Sequence, residues 1–595
     1  MKGLTPEERA VARDNYYEAV GVTRRDFLKE ALGAGVLTTG GLGALYFGYS
    51  KVDNPVRIGI IGTGDEGNVL IGALNPDYLQ VVAIADIRPS SIFRAFHGDH
   101  ATPNTIKVRP GLMKVYGWKS EEEARRHVKV YSDYRDLLQN KDIEAVIIAL
   151  PLHLHAPVAI EAMFAGKHVL TEKLMAHNVA QCKVMARVAA EKNMLLATGH
   201  QRHYSILYDN AVNFIRWGLL GQIHYIRAQW HRGNLPGRDS WQPPLPGGEE
   251  VLVDGKRKHI DKIADQIKKW EAQLAKSHDP LTAKRLAQWR AWDADKTVKA
   301  EDYGYQEIDL GHRKRTALEE LVRWRLWTRT GGGLMAELGS HQLDAASIFI
   351  SALRKDGKKA HPLSVYAVGG RQVFPYNRDA EDHVYCMFEF PAPGYDPSFD
   401  VGYKDPVANY PDPQRGIPGY NDDPTKRIVV TYSSINGNGF GGYGEVVMGT
   451  KGTLILEKET EALLMKRSDA SSRVTVKGNK GDAVLDTTSS GGNAPVAKAV
   501  EQGPVSRGYT EEMEHLAWCI RNRDPANVPR CHPEVALGDA VMALTAKLAI
   551  ARSAKGEGGY IRFEESWFDP MSDATPDGSS VEEEYQRLVR QSNKA

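Results

Sequence analysis

The sequence predicts an α/β fold that begins with a doubly wound parallel sheet. Short apolar segments alternate with helical segments from Val56 to Thr198, and strands separated by helices pair in parallel. A Gly-x-Gly-x-x-Gly motif directly follows the first apolar segment, as in folds that bind dinucleotides. The 595 residues exceed one ordinary domain, so we expect a second large domain after about residue 200.

The composition excludes several classes of protein. Lys and Arg number 76 against 75 Asp and Glu, a balance that gives no reason to expect nucleic acid as a partner. A mean hydropathy of -0.41 excludes a polytopic membrane protein. The four cysteines lie far apart without a Cys-x-x-Cys motif, and the histidines form no ligand-spaced cluster. We therefore predict neither a disulfide framework nor a metal site.

Residues 1–50 form a separate N-terminal segment. Arg24-Arg25 is followed by Phe-Leu-Lys and by an uncharged, Gly-rich stretch from Ala31 to Tyr49, which resembles a bacterial twin-arginine export signal. The alternative is a buried amphipathic helix that happens to carry two arginines. The export interpretation implies the twin-arginine machinery as a partner and a periplasmic or membrane-tethered location. No clean Ala-x-Ala site follows, which leaves cleavage open.

Residues 51–200 are predicted to be a dinucleotide-binding domain. The motif reads Gly62-Thr63-Gly64-Asp65-Glu66-Gly67 and lies between a strand and a helix. The first glycine permits the tight turn, the second lets the backbone approach a pyrophosphate, and the third lets the helix pack closely on the strand. The helix N-terminus offers amide donors to phosphates. The alternative is an ordinary Gly-rich turn.

An acidic residue after the second strand bears on cofactor choice. Asp86 follows the apolar segment from Leu79 to Ala85, where a carboxylate accepts hydrogen bonds from the adenosine ribose. A carboxylate there repels a 2′-phosphate, so NAD is favoured over NADP. The neighbouring Arg88 weakens that preference.

Three strand ends and one later segment carry the polar residues of interest. Ligands of doubly wound sheets lie beyond the carboxyl ends of the strands, so we expect the site at loops beginning near Pro151, Thr171 and Gly199. The loops read Pro-Leu-His-Leu-His from Pro151, Thr-Glu-Lys-Leu from Thr171 and Gly-His-Gln-Arg-His-Tyr from Gly199. The later segment begins with Gly331-Gly332-Gly333 and includes Glu337 and His341.

This arrangement resembles the glucose-fructose oxidoreductase / inositol dehydrogenase / rhizopine catabolism family (Gfo/Idh/MocA) from Val56 to about Phe390. The family's Glu-Lys-Pro motif falls on Glu172-Lys173, with Leu174 in place of proline. Its Asp-x-x-x-His pair falls on Glu337 and His341, with Glu in place of Asp.

The resemblance has implications for fold, activity and assembly. It implies a Rossmann domain followed by an α/β domain with a large, mostly antiparallel open sheet. It also implies hydride transfer between a nicotinamide and a sugar or polyol, and homo-oligomers formed by face-to-face packing of sheets. Cofactor-pocket roles are implied for Pro151, His155, Glu172, Lys173 and Gln201.

The candidate catalytic residues suit oxidation of a secondary alcohol. Lys173 could hold the hydroxyl and stabilise developing alkoxide charge, and His341 could accept the proton near neutral pH. Glu337 lies four residues before His341, so on a helix the two share a face, and Glu337 could orient the imidazole or bind a substrate hydroxyl. The alternatives are a surface lysine, a capping or core histidine and a structural carboxylate.

Residues 201–570 are predicted to form the substrate and oligomerisation domain. After the first domain come Arg202 and then Trp230, His231, Arg232 and Asn234. Aromatic, basic and amide groups suit a carbohydrate, although a Gly/Pro-rich surface loop is an equal alternative. Residues 249–325 are predicted to be a helical insertion, solvated on its charged faces. Residues 571–595 are predicted to be a polar tail.

Export constrains the chemistry. Outside the cytoplasm free NAD is scarce, so the cofactor should stay tightly bound and be regenerated within each cycle. The resemblance offers two such cycles: oxidation of one sugar with reduction of another, and transient oxidation of a glycoside at C3, elimination of the aglycone, addition of water and return of the hydride. A non-catalytic carbohydrate-binding protein is the alternative of another class.

Overall fold

The structure is a computed structural model. It describes residues 47–254, 256–311, 313–395, 413–417, 422–459, 461–466, 475–479, 482–486, 497–500 and 507–592. The predicted export signal at Arg24-Arg25 lies outside the described residues.

The first domain is built on a six-stranded parallel sheet with the order β3-β2-β1-β4-β5-β6. The strands are β1 (Val56–Ile61), β2 (Leu79–Ala85), β3 (Lys129–Tyr131), β4 (Ala145–Ile148), β5 (His168–Glu172) and β6 (Leu196–Gly199). The strand order reverses between β1 and β4, which opens a crevice at the carboxyl ends of these strands. Both strands are almost wholly buried because helices cover both faces of the sheet.

The helices of this part of the chain are α1 (Asp65–Ala73), α2 (Pro89–His97), α3 (Pro103–Val108), α4 (Leu112–Tyr116), α5 (Glu121–His127), α6 (Tyr134–Leu138), α7 (His155–Phe164) and α8 (Val179–Glu191). Short 3₁₀ helices at Leu152–Leu154 and Gln201–Tyr204 follow the ends of β4 and β6. The predicted alternation of strands and helices is therefore confirmed.

The second domain contains a nine-stranded mixed sheet with the order β20-β17-β16-β15-β7-β14-β13-β12-β21. Only the pair β7 and β14 is parallel. In chain order the strands are β7 (Ile223–His231), β8 (Glu249–Val253), β9 (Lys256–Ile260), β10 (Ile308–Asp309), β11 (Lys314–Arg315), β12 (Ser364–Gly370), β13 (His383–Pro391), β14 (Arg427–Ile435), β15 (Tyr443–Gly449), β16 (Gly452–Glu457), β17 (Glu461–Lys466), β18 (Thr475–Asn479), β19 (Asp482–Asp486), β20 (Ala497–Val500) and β21 (Tyr560–Arg562). The pairs β8–β9, β10–β11 and β18–β19 are separate two-stranded sheets.

The helices of the remaining chain are α9 (Ile206–Arg216), α10 (Lys262–Ser277), α11 (Pro280–Ala294), α12 (Ala317–Val322), α13 (Thr328–Gly331), α14 (Ser340–Ser351), α15 (Tyr509–Arg521), α16 (Pro533–Ala554), α17 (Glu565–Phe568) and α18 (Val581–Ser592). Short 3₁₀ helices lie at Asp295–Thr297, Ala300–Tyr303, Trp324–Leu326 and Pro413–Arg415, and a π-helix lies at Met335–Gly339. Among the helices of the described ranges, none is both long and apolar enough to cross a bilayer.

One face of the large sheet is covered and the other is open at one end. Along β12 and β13, Val365 and Phe388 are buried against helices such as α16, whereas Tyr366 and Tyr385 on the alternate positions are exposed. This alternation is typical of a sheet with helices on one side only.

The predicted insertion contains two capped antiparallel helices, α10 and α11. Asp261 and Asp279 accept hydrogen bonds from the first-turn amides of these helices. The expectation of a solvated helical pair is only partly met, because α11 packs against α2 of the first domain.

The C-terminal residues contradict the predicted polar tail. Val581 and Leu588 of α18 are buried against α7 and α8. The ammonium group of Lys183 donates to the backbone carbonyls of Ser566, Ser572 and Ala574 at 2.8, 3.0 and 2.8 Å. The segment is an ordered part of the first domain because its apolar residues, seven apart, lie on one helix face.

Helix α15 also packs on the first domain, although it lies three hundred residues later in the chain. Glu514 accepts hydrogen bonds from the Tyr49 hydroxyl at 2.7 Å and the Asn75 amide at 2.6 Å, and Arg521 pairs with Glu144 at 2.7 Å. The boundary predicted at residue 200 therefore separates only the first part of this domain from the second.

Candidate cofactor and active site

A cavity of about 1020 Å³ lies where the two domains and the insertion meet. The predicted residues that line it are Gly62, Gly64, Asp86, Arg88, Pro151, Glu172, Lys173, Gln201, Trp230, Arg232, Glu337 and His341. The three predicted loops and the later Gly-rich segment therefore converge on one space.

The Gly-x-Gly-x-x-Gly motif forms the turn between β1 and α1, where its first and third glycines leave no space for a side chain. Gly62 has a φ of +89°, and a Cβ there would lie 2.3 Å from the carbonyl oxygen of Ala149. A Cβ on Gly67 would lie 2.1 Å from the carbonyl oxygen of Gly62. A Cβ on Gly64 would meet nothing within 4 Å, so the backbone there faces the open cavity, where a pyrophosphate can approach it.

Hydrogen bonds from Thr63 of the β1–α1 turn and from Arg88 hold the Asp86 carboxylate at the end of β2. Its carboxylate accepts from the Thr63 amide at 2.7 Å, the Thr63 hydroxyl at 3.1 Å and the Arg88 amide at 2.8 Å. A carboxylate has about four lone-pair positions, so acceptor capacity remains for ribose hydroxyls. The guanidinium of Arg88 pairs with Asp295 of the insertion at 2.8 Å and is thereby engaged away from a 2′-phosphate.

Two buried carboxyl groups near the turn, those of Glu172 and Glu66, have raised pKa values. Burial, with the nearby Glu66, raises the pKa of Glu172 to about 8. Burial also raises the pKa of Glu66. Asp65 differs, because Arg94 and Arg109 outweigh its burial and hold the pKa of its carboxyl below the usual range.

Lys173 and Glu337 meet at the cavity wall. The Lys173 ammonium donates to the Glu337 backbone carbonyl at 2.8 Å and lies 3.9 Å from its carboxylate. Arg325 donates to the same carboxylate at 2.6 Å. Although burial alone would raise it, Arg325 and Lys173 lower the pKa of Glu337 to about 2. The carboxylate is thus ionised and engages the lysine and the arginine.

This finding corrects one predicted role of Glu337. The residue belongs to the π-helix at Met335–Gly339 that leads into α14, and its described partners are Arg325 and Lys173 instead of the imidazole of His341. The spacing of four residues did place both side chains at the same cavity.

His341 is a neutral imidazole at this wall. Burial, together with the nearby Lys173 and Arg202, holds its pKa well below the usual range. Its Nδ1 atom is buried and has no hydrogen-bond partner among the described residues. The ring lies 5.5 Å from that of Trp230 and 6.3 Å from that of His200. A neutral imidazole with an unpartnered nitrogen can accept a hydrogen bond, but the lowered pKa makes this ring a weaker base near neutral pH than the sequence predicts.

Behind His341 lies a buried polar cluster, formed by His200, His203, Asp344, Lys359 and Asp539. Lys359 binds the carboxylates of Asp344 and Asp539 at 3.0 and 2.6 Å, and His203 contacts Asp344 at 2.8 Å. Donor atoms of His200 and the two aspartates come within 4.8 Å of one another, as metal ligands do. The Lys359 ammonium already supplies a cation between the carboxylates, and we assign the cluster a structural role.

An aromatic wall lies in the same cavity as Lys173 and His341. Trp230 stacks on Tyr443 with ring centroids 4.5 Å apart, and the guanidinium of Arg232 lies 5.6 Å from the Trp230 ring. All three residues line the cavity. Flat rings with an adjacent cation suit the apolar face and hydroxyl groups of a sugar.

Several predicted residues lie behind the wall and do not line it. Arg202 is fully buried and pairs with Glu445 and Glu459 at 3.3 and 2.8 Å, so it is not a substrate ligand. His231 contacts Phe440 and Ser433, and Asn234 contacts Ser240 and Asn436. Thr63, Gly67 and His155 support the cofactor loops, His155 through the carbonyls of Leu150 and Leu174 at 2.8 Å each.

Other lining residues were not predicted. They include Arg94 and Arg109 near the Gly-x-Gly-x-x-Gly motif, Arg325 beside Glu337, and Tyr305, Trp289 and Trp292 from the insertion. Arg325 stands in a Trp-Arg-Leu-Trp sequence with no distinctive spacing, so no local pattern marks it as a site residue.

The residues present fit a nicotinamide dinucleotide. Three features lie where such a cofactor would bind. They are the open backbone at Gly64, the carboxylate of Asp86 and the buried Gln201 Oε1 atom, which has no described partner. Lys173 and His341 lie farther along the same cavity, where the reacting end would be.

Comparison with known proteins agrees with this geometry. Residues 56–200 match the Gfo/Idh/MocA model, described as an oxidoreductase family with an NAD-binding Rossmann fold. An uncharacterised oxidoreductase of Schizosaccharomyces pombe is 32% identical over 152 residues, 24% of this chain and 41% of that protein. A glycosyl hydrolase family 109 protein of Shewanella pealeana is 28% identical over 229 residues, 35% of this chain and 46% of that protein.

A solved structure resembles nearly the whole chain more distantly. The aldose-aldose oxidoreductase of Caulobacter crescentus is 15% identical with a TM-score of 0.45, covering 86% of this chain and 100% of that protein. The chain spans less than half the length of the two relatives matched by sequence. Residues 56–200 therefore have the sequence of an NAD-binding Rossmann fold and are similar to the Gfo/Idh/MocA oxidoreductase family.

Proposed function

We propose that the protein oxidises a secondary hydroxyl group of a sugar, polyol or glycoside with a retained NAD. The observation that carries this proposal is the convergence of Lys173, His341 and the dinucleotide turn on one cavity. NAD, when bound, supplies the hydride acceptor. The engagement of Arg88 by Asp295 supports NAD in preference to NADP.

Each side chain of the site has a separate role in the proposed reaction. The substrate hydroxyl would contact the Lys173 ammonium, which stabilises the alkoxide charge that develops as hydride leaves the carbon. The neutral His341 would accept the hydroxyl proton. Glu337, ionised and fixed by Arg325, would hold the lysine in place. Trp230 and Tyr443 would support the sugar ring.

A net hydrolysis of glycosides is the second candidate function. The similarity to a glycosyl hydrolase family 109 protein supports it. Oxidation at C3 would acidify the neighbouring C–H bond; a base would remove that proton while the aglycone leaves from C1, and water would then add at C1 before the hydride returns to C3. The cycle leaves the cofactor unchanged, as a retained NAD requires.

The test begins with purified protein lacking residues 1–46, which keeps the hydrogen bond of Tyr49 to Glu514. Denaturation followed by mass spectrometry of the released nucleotide should yield about one NAD per chain. Panels of sugar pairs and of glycosides then separate the two candidate functions by their products. Protein that neither contains nor takes up NAD would overturn the proposal in favour of a carbohydrate-binding protein.

Lys173→Ala tests the catalytic assignment. We expect turnover to fall by a factor of about 10² or more while NAD content stays at wild-type level, because the alkoxide loses its cation. Lys167→Ala is a control, since Lys167 binds backbone carbonyls away from the cavity. Full activity in Lys173→Ala would remove the lysine from the mechanism.

We further propose that the chain is exported by the twin-arginine route and forms homo-oligomers. The proposal of export depends on Arg24-Arg25 and the following uncharged stretch. Replacing both arginines with lysine should leave the protein in the cytoplasm when cells are fractionated. Export of the doubly substituted chain at the normal level would contradict this assignment.

A further inference from the structure

The insertion is fastened directly to the loop that would hold the adenosine end of the cofactor. Asp295, fully buried after α11, accepts from the Ser90 amide at 2.9 Å and the Ser90 hydroxyl at 2.6 Å. It also accepts from Nε of Arg88 at 2.9 Å. Ser90 lies in the first turn of α2, so the carboxylate caps this helix from another part of the chain. The loop between Asp86 and α2 is thereby held by the insertion.

A second set of bonds lies about two turns earlier, on α11. The side chain of Gln288 accepts from the His100 amide and donates to the Asp99 carboxylate, both at 2.8 Å. Arg285 donates to the His100 carbonyl at 3.1 Å. Gln288 is buried, and a buried hydrogen bond costs more to break than an exposed one. The contact with the first domain therefore includes two residues of α11, Arg285 and Gln288, and Asp295 directly after the helix.

The two ends of the insertion are joined to each other and to the second domain. Arg323 binds the carboxylate of Glu249, the first residue of the insertion, through two bonds of 2.8 and 3.0 Å, and it donates to the carbonyl of Pro243 in the second domain at 3.0 Å. A paired, bidentate geometry of this kind is strong for an ion pair. The insertion therefore contacts both domains, and its residues line the cavity.

Aromatic rings of the insertion form the cavity wall beside Asp86. Trp270, Trp289, Trp292 and Tyr305 all line the space. Trp289 and Trp292 are in edge contact at 4.7 Å. The Trp270 Nε1 donor is buried without a described partner, and such a group is costly unless a ligand or water accepts from it. Flat apolar rings with a free donor suit a purine.

We infer that the insertion is a clamp that closes over the adenosine half of the dinucleotide and keeps the cofactor bound through successive turnovers. The inference rests on the proposed function, because it requires the cavity to hold NAD. Departure of the adenosine would require the bonds of Asp295 and Gln288 to open. The clamp thus accounts for retention through residues outside the Rossmann fingerprint.

The test measures how fast bound NAD exchanges with isotope-labelled NAD in the full chain. Asp295→Asn removes the negative charge that pairs with Arg88. It also removes one of the two carboxylate oxygens that accept hydrogen bonds from Ser90. We expect it to speed exchange by roughly tenfold or more, since charge-assisted hydrogen bonds are the strong ones. Asp293→Asn is the matched control, because Asp293 pairs only with the exposed Lys296, and its exchange rate should equal that of the wild type.

A milder variant and a second ligand complete the test. Ser90→Ala removes a single bond, and we expect an intermediate exchange rate even if Asp295→Asn folds poorly. ADP-ribose, which retains the adenosine half, should also dissociate faster from Asp295→Asn than from the wild type. Equal exchange rates in wild type, Ser90→Ala and Asp295→Asn would overturn the clamp. A wild-type chain that binds no NAD at all would instead overturn the proposed function.

Discussion

Glu172 is a protonated carboxyl group in a cavity that we assign to an anionic ligand. Its pKa of about 8 results from burial and from the neighbouring Glu66. Because the folded pKa lies above the ordinary value of 4.5, this group stabilises the fold fully below about pH 4.5. That contribution is lost as the pH rises through 8.

Ionisation of Glu172 should weaken binding of the dinucleotide. Above pH 8 the carboxylate becomes charged and repels the pyrophosphate, so we expect the Kd for NAD to rise about tenfold between pH 7 and pH 9.5. Glu172→Gln should remove most of this dependence. Equilibrium binding of NAD to nucleotide-stripped protein across this pH range measures how the Kd depends on pH in the wild type and in Glu172→Gln.

Glu144→Gln is the control for this titration. Arg521 and Arg57 lower the pKa of Glu144 to about 2 against the effect of burial, so this group stays ionised throughout, and it lies outside the cavity. Its substitution should leave the pH dependence intact. Equal slopes for wild type and Glu172→Gln would show that another group titrates.

The sequence indicates the position of some single residues in the structure but not that of others. Lys173 and His341 both line the cavity, because strand ends and a Gly-rich segment fix where the backbone goes. Arg202 follows a strand end as well, yet it is buried against Glu445 and Glu459. Its partners arise more than 240 residues later, and no local pattern distinguishes a ligand-binding arginine from one with a buried partner.

At the scale of elements, the spacing of apolar residues predicted the helices and strands for which it was used. It placed α10, α11 and the strands of the parallel sheet. Helix α18 has the same signal in Val581 and Leu588, but its many charges favoured a tail. Charged residues on the exposed face of a short helix obscure two buried ones.

Leu588 should be important for the stability of the first domain. Leu588→Ala deletes a side chain buried between α7, α8 and α18, and we expect a loss of about 2–5 kcal/mol, seen as a lower midpoint of thermal unfolding. Leu281→Ala is the control because Leu281 is exposed. An unchanged midpoint for Leu588→Ala would contradict the packing of α18.

At the scale of the whole molecule, the open sheet face is the feature that implies assembly. Tyr366, Val368, Tyr385, Met387 and Tyr560 are exposed on the three adjacent strands β12, β13 and β21. Contiguous exposed apolar side chains of this kind mark interaction surfaces. A second copy of the chain could cover the patch sheet to sheet.

Substitution at the centre of this patch should alter the assembly. We expect Tyr385→Lys to reduce the mass in solution to that of the 65.9 kDa chain, because a charge would be buried in an apolar interface. Light scattering after size-exclusion chromatography measures the mass. Phe440→Lys changes a more exposed aromatic residue elsewhere, 86% exposed against 43% for Tyr385, and should leave the mass unchanged. A monomeric wild type would contradict the proposed interface.

The contacts of α15 and α18 with the first domain have a consequence for biosynthesis. The parallel sheet is translated early, but the helices that cover its residues are translated last. While the ribosome adds the intervening three hundred residues, the emerging sheet remains partly uncovered and offers apolar surface to chaperones. Cofactor loading must then wait for translation to approach its end, and a ribosome stalled in between would leave a product without a finished nucleotide site.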